Sequence, residues 1–128
     1  MRYAGAMTDD SAIKNRPHRV NGVMVDQAML LPSAEAVARQ IEAVPLGETR
    51  SLAELRDNLA RQYGAEATCP VTTQRMIKLV AARSVADHQA GRKALPFWRV
   101  VDPDRPNTAR LPGGREFVVA RRSEEKAD

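Results

Sequence analysis

The side chains that could carry chemistry are few: one thiol, Cys69; two imidazoles, His18 and His88; two loop carboxylates, Asp102 and Asp104; and the rings of Phe97 and Trp98 beside Arg99. A cysteine nucleophile needs a neighbour that makes its thiolate, and a base needs a third group to orient it. His18 falls in an aperiodic N-terminal stretch and His88 far along a helical segment, with no such third group for either. Cys69 therefore reads as a small, partly buried side chain, and a cysteine-dependent enzyme built on it is the weakest reading. One cysteine and two distant histidines give no metal-ligand spacing. Asp102 and Asp104 lie among prolines and suit turn capping better than acid–base work. The ring pair is the most informative feature. Phe97 and Trp98 adjoin in a chain with only one Trp, two Tyr and two Phe. Such scarce aromatic surface in one place either plugs a core or lines a cavity for a flat ligand. In an extended segment the two rings point to opposite sides, so each role can fall to one of them.

Charge narrows the partner. The 128 residues carry a formal net charge of +4. Between Pro70 and Arg122, however, eleven basic residues face only four acidic ones. Such a field attracts a polyanion, and the planar guanidinium suits phosphate; the plainer reading is a solvated basic surface. A single cysteine allows no internal disulfide and fits a reducing compartment. No apolar run reaches the ~20 residues of a membrane span, and the N-terminus lacks the apolar stretch of a signal peptide. A cytoplasmic protein without membrane contact is expected.

The positioning elements follow from period and punctuation. Residues 1 to about 19 are polar and aperiodic, and residues 1–30 read as a flexible leader ahead of one domain over 31–128. Asn21-Gly22 is a hairpin signal with short flanks. Ser33 caps a helix whose stripe is Ala34, Val37, Ala38, Ile41 and Val44. Ser51 and Glu54 form a capping box for a second helix, with Leu52, Leu55, Leu59 and Tyr63 at helical spacing and Gly64 at its end. After a loop over 65–71, Thr72 or Thr73 starts a third helix that runs to about Gln89 and stops at Gly91. Residues 96–102 read as extended, 103–114 as a long loop with Gly113-Gly114 as a turn, and 115–125 as a short terminal helix. Arg121 and Arg122 read as solvated helix ends. The fold expected is mainly α, a three-helix, helix-turn-helix or winged-helix-like DNA-binding domain with a long loop and a short C-terminal helix.

With Ile77 at the centre of the core face, Val80, Ala81, Ser84 and Val85 fall beside it at 100° per residue. Arg75, Lys78, Leu79, Ala82 and Arg83 fall opposite, with basic groups flanking a small alanine that would let the helix settle into a major groove. The expected DNA contacts are Thr72, Thr73, Arg75, Lys78, Ala82 and Arg83.

The order of a helix, Pro45-Leu46-Gly47, a capped helix, an arginine-bearing helix, Pro96-Phe97-Trp98-Arg99-Val100-Val101, Leu111-Pro112-Gly113-Gly114 and a last helix resembles a known arrangement. It is similar to the DNA-binding domain of the O6-alkylguanine-DNA alkyltransferases, and more so to their non-catalytic relatives, the alkyltransferase-like proteins. The resemblance covers roughly residues 33–125. The first group has Pro-Cys-His-Arg-Val and the second Pro-Trp-His-Arg-Val where this chain has Pro96, Phe97, Trp98, Arg99 and Val100. Phe97 thus stands at the alkyl-accepting cysteine and Trp98 at the histidine. A phenyl ring cannot accept an alkyl group by displacement and an indole cannot generate a thiolate, so no catalytic residue and no enzyme activity are expected.

The resemblance implies non-enzymatic binding of double-stranded DNA and flipping of an alkylated, O6-alkylguanine-type base. Arg75 would fill the stack, and the base pocket would be formed by Phe97, Trp98, Arg99, Val100, Gly113 and Gly114. It further implies a DNA repair role in which the lesion is flagged to nucleotide excision repair proteins by a monomer without cofactor or metal. Two positions depart from the family. Leu52 stands near its tyrosine, and its asparagine is missing from 91–95. A helix-turn-helix DNA-binding or regulatory protein without base flipping is the alternative.

Overall fold

The computed structural model describes residues 9–126. Asn21 and Gly22 both adopt positive φ, 50° and 81°. That geometry defines the two-residue turn whose twist matches the strands it joins. It connects β1 (Ala12–Val20) to β2 (Val23–Leu31) in antiparallel register from Val20–Val23 to Ala12–Leu31. Helices α1 (Ala34–Glu42) and α2 (Leu52–Tyr63) follow, then a two-residue strand, β3 (Ala67–Thr68), parallel to β2 through Met29–Ala67 and Leu30–Thr68. The long helix α3 (Pro70–Gln89) leads to a single 3-10 turn at Phe97–Arg99, the short α4 (Pro106–Ala109) and the terminal α5 (Gly114–Lys126). Sheet order is β1-β2-β3.

This is an α+β fold with a three-stranded mixed sheet and five helices among the described residues, which corrects the expectation of a mainly α, three-helix domain. The reason lies in β1. Every one of its nine residues is exposed, so neither face needs apolar side chains and no alternation marks the strand. The turn and the ladder specify it instead, and Pro17 is tolerated because β1 is an edge strand. The expected leader therefore contains an ordered hairpin over 12–31, while its residues 1–8 lie outside the described residues.

The helical expectations fare better. Ser33 caps α1, accepting a hydrogen bond from the Ala36 N–H, and Val37, Ala38, Ile41 and Val44 are buried. Ser51 and Glu54 form the reciprocal cap on α2, and Gly64 ends it in the left-handed conformation. On α3, Ile77, Val80, Ala81, Ser84 and Val85 all face the core. The helix starts earlier than expected. Cys69 is its cap, with Sγ accepting from the Thr72 N–H at 3.4 Å, and Pro70 occupies the first turn where its missing N–H costs nothing.

One core joins these elements, with Leu30, Ile41, Leu55, Leu59, Ile77 and Phe97 fully buried. Residues 97–99 are not extended but wound into the 3-10 turn, held by the Arg99 N–H on the Pro96 carbonyl and the Val100 N–H on that of Phe97. The tighter rise turns both rings inward instead of to opposite sides. Phe97 stacks on Phe117 with centroids 5.9 Å apart and meets Trp98 edge-on at 5.8 Å.

Candidate functional site

The 3-10 turn is fixed from three sides. Arg99 makes a two-pronged ion pair with Glu125, with Nη2 to Oε2 at 2.8 Å, and donates from Nη1 to the Val44 carbonyl. Its own carbonyl accepts from the Arg50 N–H at 2.8 Å. Arg122 donates to the carbonyls of Trp98, at 2.7 Å, and Val101. Burial raises the Glu125 carboxyl pKa, but its hydrogen bonds and the Arg99 charge outweigh this and hold it below the ordinary value. The Trp98 indole Nε1 is buried near that carboxylate without a well-formed hydrogen bond.

Phe97 is wholly buried and Trp98 is 7 % exposed, and neither ring lines the cleft described below. The expected ring-walled pocket is corrected accordingly: these rings plug the core. Arg99 is spent on Glu125 and Val44. Gly113 and Gly114 form the expected turn, both at positive φ; a Cβ on Gly113 would lie 2.8 Å from Cβ of Phe117. The reading of Arg121 and Arg122 as solvated ends also fails. Arg121 lies over the Phe117 ring at 5.1 Å, and Arg122 holds the main chain that follows the rings.

A cleft does open next door, on the outer side of Val100 and Val101. It has a volume of about 980 Å³ and four walls. Thr49 to Ala53 and Arg56 come from the start of α2; Pro70, Val71, Gln74 and Arg75 from the first turns of α3; Val100 to Asp102 from the segment after the rings; and Arg105 to Thr108, Leu111 and Arg122 from the α4 region and α5. Leu52, Val71, Val100, Val101, Pro106 and Leu111 supply apolar surface. Arg50, Arg56, Arg75, Arg105 and Arg122 supply five positive charges against the single carboxylate of Asp102. Asp102 lies 3.9 Å from Arg105 and accepts the Asp104 N–H, as a turn-capping residue does. The N-terminus of α3 opens on the same space and adds its partial positive charge.

Of the residues expected to contact DNA, Arg75 is exposed and lines the cleft, while Lys78, Ala82 and Arg83 are exposed on the outer face of the same helix. Arg83 faces Asp87 at 3.9 Å. Thr73 is corrected: it is 1 % exposed and its hydroxyl donates to the Cys69 carbonyl. Thr72 is half-buried, its N–H and hydroxyl both directed at Cys69 Sγ. Of the expected base pocket, only Val100 borders the cleft. Burial pushes the Cys69 thiol up, but hydrogen bonds from Thr72 and the nearby Arg16 charge win, leaving its pKa below the ordinary thiol value. Its side-chain partners are those of a helix cap, with no histidine or carboxylate among them.

Sequence reasoning missed Arg50, Arg56, Arg105 and Arg122. Leu52, Ala53 and Arg56 share one face of α2 at helical spacing, and that signal was readable. Arg105 and Arg122 reach the cleft only through the fold. Among the described residues, no group of His, Cys, Asp and Glu side chains could hold a metal ion and no helix is long and apolar enough to cross a membrane. Compared with known proteins, the chain matches no family model, no curated protein and no solved structure.

Proposed function

We propose that this protein binds double-stranded DNA without catalysing a reaction, and that an extruded, alkylated nucleotide lodges in the arginine-lined cleft at the foot of α3. One observation carries the reading. The exposed cationic face of α3 (Arg75, Lys78, Arg83) runs into a cleft with five arginines, one carboxylate and an apolar floor. A volume of about 980 Å³ is in the range of small-molecule sites, and a phosphate-bearing base needs this mixture of cations and apolar wall. Arg75 is on both surfaces, which supports a role for it in filling the gap that a flipped base leaves. Extrusion costs a few kcal/mol, least where pairing is already damaged, which favours an alkylated guanine over an intact one. Retention without chemistry serves as a mark on the lesion for repair proteins.

The test is fluorescence anisotropy on labelled duplexes with and without O6-methylguanine across a salt series. Each phosphate neutralised contributes about −0.9 to the slope of log K against log salt. Steep salt dependence with tighter binding to the lesion is expected; absence of duplex binding at low salt ends the proposal. The burial of both rings favours a second reading, a DNA-binding or regulatory protein that leaves the bases stacked. It is distinguished by equal affinity for the two duplexes.

A further inference from the structure

The β1–β2 ribbon has no packing role over the four pairs nearest its tip. The four residue pairs from Pro17–Asp26 to Val20–Val23 are exposed on both faces, about 14 Å of ribbon at the usual strand rise. An isolated two-stranded ribbon is marginal in water, so a projecting one gains from a partner. Its charge is mostly of one sign, with Lys14 and Arg16 on one face and Arg19 on the other. Lys14, Arg16 and Arg19 are opposed within 12–27 only by Asp26, and none of the three pairs with a carboxylate among the described residues. The Arg19 guanidinium donates to the Gly22 carbonyl, which holds that cation at the tip. At its root the ribbon is tied to the proposed site: the Cys69 N–H donates to the Leu30 carbonyl at 2.8 Å, one residue before α3 begins. The Glu66 N–H likewise donates to the Ala28 carbonyl, so the ribbon leaves the body beside the first turn of α3.

From this charge and placement we infer that the ribbon is a second duplex-DNA element, an arm that runs along the phosphate backbone beside the groove α3 meets and neutralises phosphates with Lys14, Arg16 and Arg19. The inference rests on the DNA-binding reading above. Pro17 interrupts the outer edge of β1, which opposes its use for strand pairing with a second copy.

The test is the Lys14→Gln, Arg16→Gln, Arg19→Gln triple variant, compared with wild type for salt-dependent duplex binding and hydroxyl-radical footprint. Far-ultraviolet circular dichroism and the urea midpoint verify that the fold is kept. The slope of log K against log salt is expected to become shallower by about 2–3, and the protected stretch to shorten at one end. Wild-type slope and footprint in the variant overturn the arm and leave the cleft reading standing. Loss of wild-type duplex binding altogether overturns both. If the substitutions instead abolish binding to phosphatidylserine vesicles, or convert a dimer to a monomer in sedimentation, while DNA binding is unchanged, the arm serves a lipid surface or a second copy and the inference fails.

Discussion

Replacing Phe97 separates a ring that builds the core from a ring that grips a ligand. Phe97 is fully buried, stacked on Phe117 with an interplanar angle of 4° and edge-on to Trp98 at 70°. Phe97→Ala leaves a cavity and is expected to cost about 3–5 kcal/mol. Phe97→Leu keeps most of the bulk and loses chiefly the two ring pairs, each about 0.5–1.5 kcal/mol, for a cost of about 1–3 kcal/mol. Small domains are typically stable by about 5–15 kcal/mol, so the alanine variant sits close to unfolding and the leucine variant does not. The assay is urea denaturation followed by tryptophan fluorescence. Trp98 is the only tryptophan, and it is buried against the substituted ring, so it reports the transition directly. DNA affinity of the folded leucine variant should equal that of wild type. A loss of duplex affinity in Phe97→Leu with an unchanged urea midpoint would refute the assignment of this ring to the core.

Arg75→Gln should flatten the salt slope of duplex binding by about 0.9 while moving stability by less than about 0.5 kcal/mol, measured by anisotropy and urea titration. Gly113→Ala places a Cβ 2.8 Å from that of Phe117 at φ +81°, and a thermal melt should show it destabilised by about 1–3 kcal/mol. Glu125→Gln removes the charge that faces Arg99, a pair whose side chains are each 13 % exposed, and should cost about 1.5–3 kcal/mol at neutral pH. Because the folded-state Glu125 pKa lies below its ordinary value of 4.5, its contribution is present above about pH 4.5 and disappears as pH falls through the folded value. The stability gap between wild type and Glu125→Gln should therefore narrow on acidification, and a gap that widened would contradict the pairing.

The helices were legible because each buries one stripe. Ile77, Val80, Ala81, Ser84 and Val85 could be assigned to the core from spacing alone, and Ser51 with Glu54 announced a helix start. The ribbon was not legible, since a strand exposed on both faces leaves no alternation, and Asn21-Gly22 was its one local sign. The 3-10 turn escaped for another reason. Pro96 favours extended backbone before it, and tertiary bonds from Arg122 and Arg50, with those of Arg99 to Glu125 and Val44, fix how the chain winds afterwards. The arginine richness after Pro70 was plain, but its convergence with Arg50 and Arg56 depends on the fold setting the start of α2 across one cleft from the start of α3 and the α4 region. A cleft assembled from four separated stretches has no motif.

The central claim is that a nucleotide leaves the stack and enters the cleft beside Arg75. The direct measurement is the fluorescence of a duplex carrying 2-aminopurine at the target position, titrated with wild type and with Arg75→Gln under conditions where both bind. Emission should rise with wild type as the base unstacks, and rise much less with the variant. Saturated binding with no change in emission for either protein would contradict it.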